Sequence, residues 1–153
     1  VTETNAKQNA RDEAERGDET LAAAELLAKG GFYNDAVSRA YYAAFHWARA
    51  LLVSQGIEPR THRGTVQMLN LHFAKDGVLP KEVARLLGQL ETFRELGDYT
   101  AGSNFSATDA EEAITSARRF IAACEELLPA DAKPFSVPSV PIMERSAPLH
   151  YRT

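Results

Sequence analysis

The stretch Asn34–Arg49, NDAVSRAYYAAFHWAR, reads as one helix, and its reading decides the fold. At about 100° per residue, Val37, Ala40, Ala44, Ala48 and Leu51 share one side and form a core face. Ala36, Ala43 and Ala50 recur at every seventh position on roughly the opposite side, next to Arg39 and His46. Two small-residue seams predict a helix packed on both sides, the second against another subunit. The competing reading is that alanine is there only as the best helix former. Arg39, Tyr42 and His46 stand at i, i+3 and i+7, a spacing that lets their side chains converge on one surface.

Outward from this helix the periodicity gives four more helical segments and no alternating run that would make a strand. The first covers about Asn5 to Lys29 and stops at Gly30-Gly31, with Gly17 as a candidate break between a polar half and an apolar half. The second covers about Tyr33 to Gln55 and stops at Gly56, before a loop containing Pro59. The third covers about Arg63 to Lys75, with Thr61 as N-cap and Val66, Leu69 and Phe73 on one face. The fourth starts at Pro80, a residue suited to a first helical turn, and runs to about Leu96 with Val83, Leu86, Leu87, Leu90 and Phe93 at helical spacing. The fifth opens on Thr108-x-x-Glu111, a capping-box pattern, and buries Ala113, Ile114, Ala117, Phe120, Ile121, Cys124 and Leu127. Short connections favour antiparallel neighbours, so the expectation is an all-α, up-and-down antiparallel bundle of about five helices over residues 1–128.

Five of the seven prolines lie from Pro129 onward, and PFSVPSVPIMERSAPLHYRT cannot continue a helix. Residues 129–153 are therefore expected as an extended, proline-rich C-terminal tail. Phe135, Val137, Val140, Ile142, Met143 and Leu149 make it apolar enough to lie across the bundle or a neighbouring subunit.

The 153 residues suit one domain, and 44% apolar with 25% charged residues is the balance of a folded globular chain. A net charge of −4 excludes a broad basic field, so any nucleic-acid contact must be local. The lone Cys124 cannot form an internal disulfide and points to a reducing, cytoplasmic setting, where it serves as buried filler. No apolar run is long enough to cross a membrane, and the polar, acidic N-terminus does not read as a signal peptide. Neither the histidines nor the cysteine have metal-ligand spacing, and Gly30-Gly31 lacks the lysine and the strand of a phosphate loop. No metal or cofactor is expected.

Three clusters carry chemistry-bearing residues: Ser38–His46, the Thr61-His62-Arg63-Gly64 turn, and Phe93-Arg94-Glu95-Leu96-Gly97-Asp98-Tyr99. Arg94 and Asp98 are four apart and pair if the helix continues that far. Taken together, SRAYYAAFHWARALL, THRG and RELGDY resemble the small prokaryotic HEPN domains, closest to the subset with an Arg-x-x-x-Asp-Tyr signature. The resemblance covers about Leu21 to Leu128. It implies a commonly dimeric helical bundle that is often encoded beside a minimal nucleotidyltransferase. Many HEPN proteins are metal-independent ribonucleases of toxin–antitoxin, CRISPR or phage-defence systems. Carried over by motif, Arg94, Asp98 and Tyr99 are the family-like site residues, with Arg39 and Tyr42 as the matching positions on the second helix.

The chain departs from the ribonuclease pattern of an arginine followed by four to six residues and a histidine, because Tyr99, Thr100 and Ala101 occupy those positions. His46 or His62 would have to handle the proton instead. The expectation is a homodimeric module associated with a nucleotide or RNA and acting with a nucleotidyltransferase partner in a toxin–antitoxin or defence-type system. Arg39, Tyr42, Arg94 and His62 are its binding candidates. Two alternatives stand beside it. One is a metal-independent endoribonuclease using Arg94, Asp98, Tyr99 and His46 at a dimer interface; the other is a purely structural assembly protein.

Overall fold

The computed structural model describes residues 3–99 and 104–135, apart from the side chains of Glu3 and Tyr99. In chain order it holds α1 (Glu3–Lys29), α2 (Tyr33–Ser54), α3 (His62–Leu69), a π-helical turn (Asn70–Ala74), α4 (Lys81–Tyr99), α5 (Ala107–Leu127) and a 3-10 turn (Ala130–Ala132). No strand occurs among the described residues. The expected all-α bundle of five helices is what the chain forms.

Helix α2 is the axis of the bundle, and α1, α3, α4 and α5 all pack on it. Its sequence demands this. Val37, Ala40, Ala44, Ala48 and Leu51 are fully buried, but so are Ala36, Ala43 and Ala50 on the other side. A helix apolar all round is stable only at the centre of a protein. The alanine seam expected against another subunit is therefore filled within the chain, by α1.

Gly17 shows why α1 lies so close. A Cβ at that position would sit 2.6 Å from Trp47 Cδ1 and 3.1 Å from the Ala43 carbonyl oxygen. The glycine does not break α1, which runs unbroken from Glu3 to Lys29; it opens a slot for the Trp47 indole, whose N–H donates to Asp18 Oδ1 at 3.0 Å. The turn into α2 uses Gly31 at φ 87°, a left-handed conformation that costs glycine little.

Three boundaries differ from expectation. The third helix is capped by Thr61 as foreseen, its side chain accepting from Gly64 N at 2.8 Å. After Leu69, however, it widens into the π turn, closed by Lys75 N donating to Asn70 O at 2.8 Å. The fifth helix is capped two residues earlier, by a capping box of Ser106 and Asp109 rather than Thr108 and Glu111. Both pairs fit the same short pattern, and the chain uses the frame that lets Phe105 stack on Phe93 at 4.4 Å. The fourth helix continues past Leu96 to Tyr99. Gly97 permits this, because a Cβ there would run into the Phe105 ring.

Residues just beyond α5 return to α1. Ala132 is fully buried, Lys7 Nζ pairs with Asp131 Oδ2 at 2.6 Å, Arg11 Nε donates to Lys133 O at 3.0 Å, and the Arg11 guanidinium lies 4.2 Å from the Phe135 ring centroid. The start of the tail thus lies across its own bundle. Val137, Val140, Ile142, Met143 and Leu149 lie outside the described residues.

Candidate functional site

Three elements meet where α2, the start of α3 and the end of α4 converge. Helix α2 contributes Tyr41, Tyr42 and Phe45, three residues within little more than one turn that look toward α3 and α4. The Thr61 cap sets His62 at the first position of α3. Helix α4 contributes Glu91, Arg94 and Asp98, at i, i+3 and i+7, and so on one face.

Arg94 is the basic centre. Its guanidinium carbon stands 5.2 Å from the Tyr41 ring centroid and 5.5 Å from that of Tyr42, within cation–π reach of both. Asp98 Oδ2 accepts from Nη1 at 2.7 Å. Nε is buried and has no hydrogen-bond partner. The side chain is 14% exposed and that of Asp98 41%.

The energetics of this arrangement nearly cancel. An i,i+4 ion pair at such exposure is worth about 0.5 kcal/mol, and the cation–π contacts about 1–2 kcal/mol. A buried, unsatisfied donor costs about 1–3 kcal/mol. Arg94 therefore adds little to the fold, and a buried orphan donor is a feature that calls for an explanation.

Beside it runs a hydrogen-bonded chain. The Tyr41 hydroxyl donates to Glu91 Oε2 at 2.8 Å and lies 2.7 Å from His62 Nδ1. Burial, followed by the Glu91 contact, pushes the Tyr41 phenol far above its ordinary range, so it keeps its proton. The His62 ring stacks on Phe45 with centroids 4.2 Å apart, and Arg94 and His62 both lie within 6 Å of the Tyr41 and Tyr42 rings.

The structure brings together Tyr42, His62, Arg94 and Asp98 from the sequence-derived candidates. Arg39 is exposed, one turn before Tyr42 on α2. Tyr99 ends α4, and its side chain lies outside the described residues. His46 is turned toward α1, where Nδ1 lies 3.0 Å from Glu13 Oε2, and Arg49 joins the same carboxylate. Sequence reasoning missed Glu91. The available signal was its place three residues before Arg94 on the face that also carries Asp98. Among the described residues no cluster of histidine, cysteine or acidic side chains is arranged to hold a metal. No described helix is long and apolar enough to cross a membrane.

The Glu13 contact has a pH consequence. Burial alone would raise its carboxyl, but the His46 hydrogen bond and the charges of Arg49 and His46 outweigh that and hold it below 4.5. A depressed native value contributes stability that is complete above the unfolded value and disappears as the pH falls through the native one. The melting-temperature gap between wild type and Glu13→Gln is thus expected to be widest near neutrality and to close below pH 4.5. A gap that widens on acidification would contradict it.

The model described as "HEPN domain" matches residues 10–127. A UPF0332 protein of Gloeobacter violaceus is 38% identical over 119 residues, spanning 77% of this chain and 94% of that protein. A Methanocaldococcus jannaschii protein named "Putative toxin" is 36% identical over 107 residues, spanning 70% and 79%. A crystal structure of a protein from Thermus thermophilus shares the fold with a TM-score of 0.65 at 24% identity, covering 79% of this chain and 99% of that one.

Proposed function

The chain belongs to the HEPN-domain family, and from that premise we propose that it is the toxin-type half of a two-component module, binding single-stranded RNA or a nucleotide through Arg94. The observation that carries the reading is the state of Arg94. Its fork is held over two tyrosine rings and fixed on one edge by Asp98, while its buried Nε remains unsatisfied. A phosphodiester would meet the part of the guanidinium that remains exposed with an anionic acceptor of the kind it takes best. Tyr42 supplies a ring for base stacking, and Arg39 a second basic contact to the backbone. With a net charge of −4, affinity has to come from this local site rather than from a broad field. The names of the Methanocaldococcus jannaschii relatives support the toxin side of the reading. The partner in this reading is a minimal nucleotidyltransferase.

The test is fluorescence anisotropy of the purified full chain with a single-stranded RNA pool made uncleavable by 2′-O-methylation. Saturable, salt-sensitive binding is expected. Absence of binding at about 100 μM, where even non-specific contacts normally register, would overturn the reading.

A homodimer belongs to the same proposal. With the alanine seam filled by α1, an exposed apolar strip remains along α3, the π turn and α4, where Leu96 is 54%, Leu71 51% and Met68 36% exposed. A groove of 670 Å³ walled by Val66, Ala84, Phe93 and Leu96 runs along it. Pairing there brings two α4 ends, each with its Arg94, close together, and two-fold dimers are the commonest soluble oligomers. Sedimentation as a monomer at micromolar concentration would refute the dimer.

A further inference from the structure

We propose that the groove between the π turn and the first half of α4 docks an amphipathic helix of a partner protein, one whose polar face is acidic. Nothing in the Arg94 site enters this inference, and its failure would leave the RNA-binding reading untouched.

The π turn at Asn70–Ala74 widens the end of α3, a distortion that is frequent at functional positions. It faces the start of α4 across an open groove of 400 Å³. Leu71, Ala74 and Ala84 are the apolar lining of that groove, and Lys75, Lys81 and Arg85, all exposed, are its charged lining. No carboxylate lines it, although Asp76 and Glu82 adjoin two of the cations in sequence. Among the described residues none of the three cations forms an ion pair. On a chain of net charge −4 they set a local positive field over an apolar surface.

Gly88 carries the argument further along α4. Lys81, Arg85 and Gly88 stand at i, i+4 and i+7, on one stripe of the helix. A glycine inside a helix costs stability relative to alanine, so it calls for a cause. Gly17 and Gly97 have theirs within the chain, because a Cβ would strike Trp47 or Phe105. At Gly88 a Cβ would meet no atom within 4 Å. The room it leaves opens into the groove walled by Val66 and Phe93, and it permits close approach by something outside the chain.

The chemistry selects the occupant. An apolar surface bordered by cations fits a helix with apolar anchors at i, i+3 or i+4, and i+7, flanked by carboxylates. A second copy fits poorly, because two-fold pairing sets a patch against itself and would place these cations against their own equivalents. Pairing through the α4 ends leaves this groove open, since Arg85 lies about 16 Å before Leu96 along the helix. RNA fits poorly as well, because no aromatic ring lines this end for a base to stack on.

The experiment screens the full chain against a displayed library of stable helical peptides with a fixed leucine stripe and a randomised polar face. Recovered peptides are labelled and their binding is read by fluorescence anisotropy. Enrichment of aspartate and glutamate on the polar face is expected. Arg85→Glu and Lys81→Glu should each weaken binding about tenfold, and a peptide with lysine in place of its glutamates should bind Arg85→Glu better than wild type. Gly88→Leu fills the open space and should also weaken binding about tenfold, without lowering the melting temperature, because leucine is the better helix former. Failure to recover peptides, or recovery of neutral or basic polar faces, overturns the proposal. Binding that survives Arg85→Glu and Gly88→Leu unchanged does the same. If Arg85→Glu abolishes binding of the 2′-O-methyl RNA pool, the groove belongs to RNA; if Gly88→Leu turns a wild-type dimer into a monomer, it belongs to a second copy. Either result also overturns the proposal.

Discussion

Arg94→Ala is expected to weaken RNA binding about 100-fold while shifting the melting temperature by no more than about 4 °C. The first figure comes from two charge-assisted donors at about 1.5 kcal/mol each, with 1.4 kcal/mol corresponding to a factor of ten. The second follows from the near-cancellation at this residue. Its ion pair with Asp98 and its position over Tyr41 and Tyr42 are offset by the buried Nε that nothing satisfies. A net change of about 1 kcal/mol moves the midpoint of a chain this size by about 2–4 °C. Asp98→Ala is expected to cost less, about tenfold, because the carboxylate steadies the fork and would itself repel a phosphate. Anisotropy and thermal melts on the same preparations decide the matter. A loss of several kcal/mol in stability with RNA binding intact would make Arg94 a structural ion-pair member and remove the site.

How much of this was legible in the sequence depended on whether the signal was local. Thr61 as an N-cap and the Gly30-Gly31 stop rest on contacts within a few residues, the core face from Val37 to Leu51 on the periodicity of one helix, and each is present. The spacing of Arg94 and Asp98 was readable for the same reason. The i, i+3, i+7 stripe of Arg39, Tyr42 and His46 was not enough to define a surface. On a helix packed by several others, neighbouring positions on one stripe meet different surroundings: Arg39 is exposed, Tyr42 packs against His62 and Arg94, and His46 meets Glu13 of α1. Periodicity says which residues share a face and is silent about what covers it. Glu91 lies 50 positions from Tyr41, and no spacing rule connects the two. Overlapping frames defeated the cap of α5, since Ser106 with Asp109 and Thr108 with Glu111 both satisfy the short pattern.

The filled seam reverses what a substitution there should do. Were Ala43 at a subunit contact, Ala43→Glu would yield a folded monomer. Ala43 is instead fully buried, its carbonyl oxygen 3.1 Å from where a Cβ on Gly17 would stand. A glutamate has no room between α1 and α2. Overpacking a filled core costs about 1–3 kcal/mol, and an unpaired buried charge several more. The total is comparable with the whole stability of a domain, about 5–15 kcal/mol. Ala43→Glu is therefore expected to unfold at or near room temperature, seen as loss of the helical circular dichroism signal well before wild type melts. Gly17→Ala probes the opposite wall with one methyl group. Placed 2.6 Å from Trp47 Cδ1, it must displace a fully buried indole that is also tied to Asp18. A cost of about 1–3 kcal/mol is expected, although glycine to alanine inside an exposed helix would stabilise by nearly 1 kcal/mol. The sign alone is informative. If Gly17→Ala stabilises and Ala43→Glu melts like wild type while sedimenting as a monomer, α1 does not occupy this seam in solution and a second subunit does.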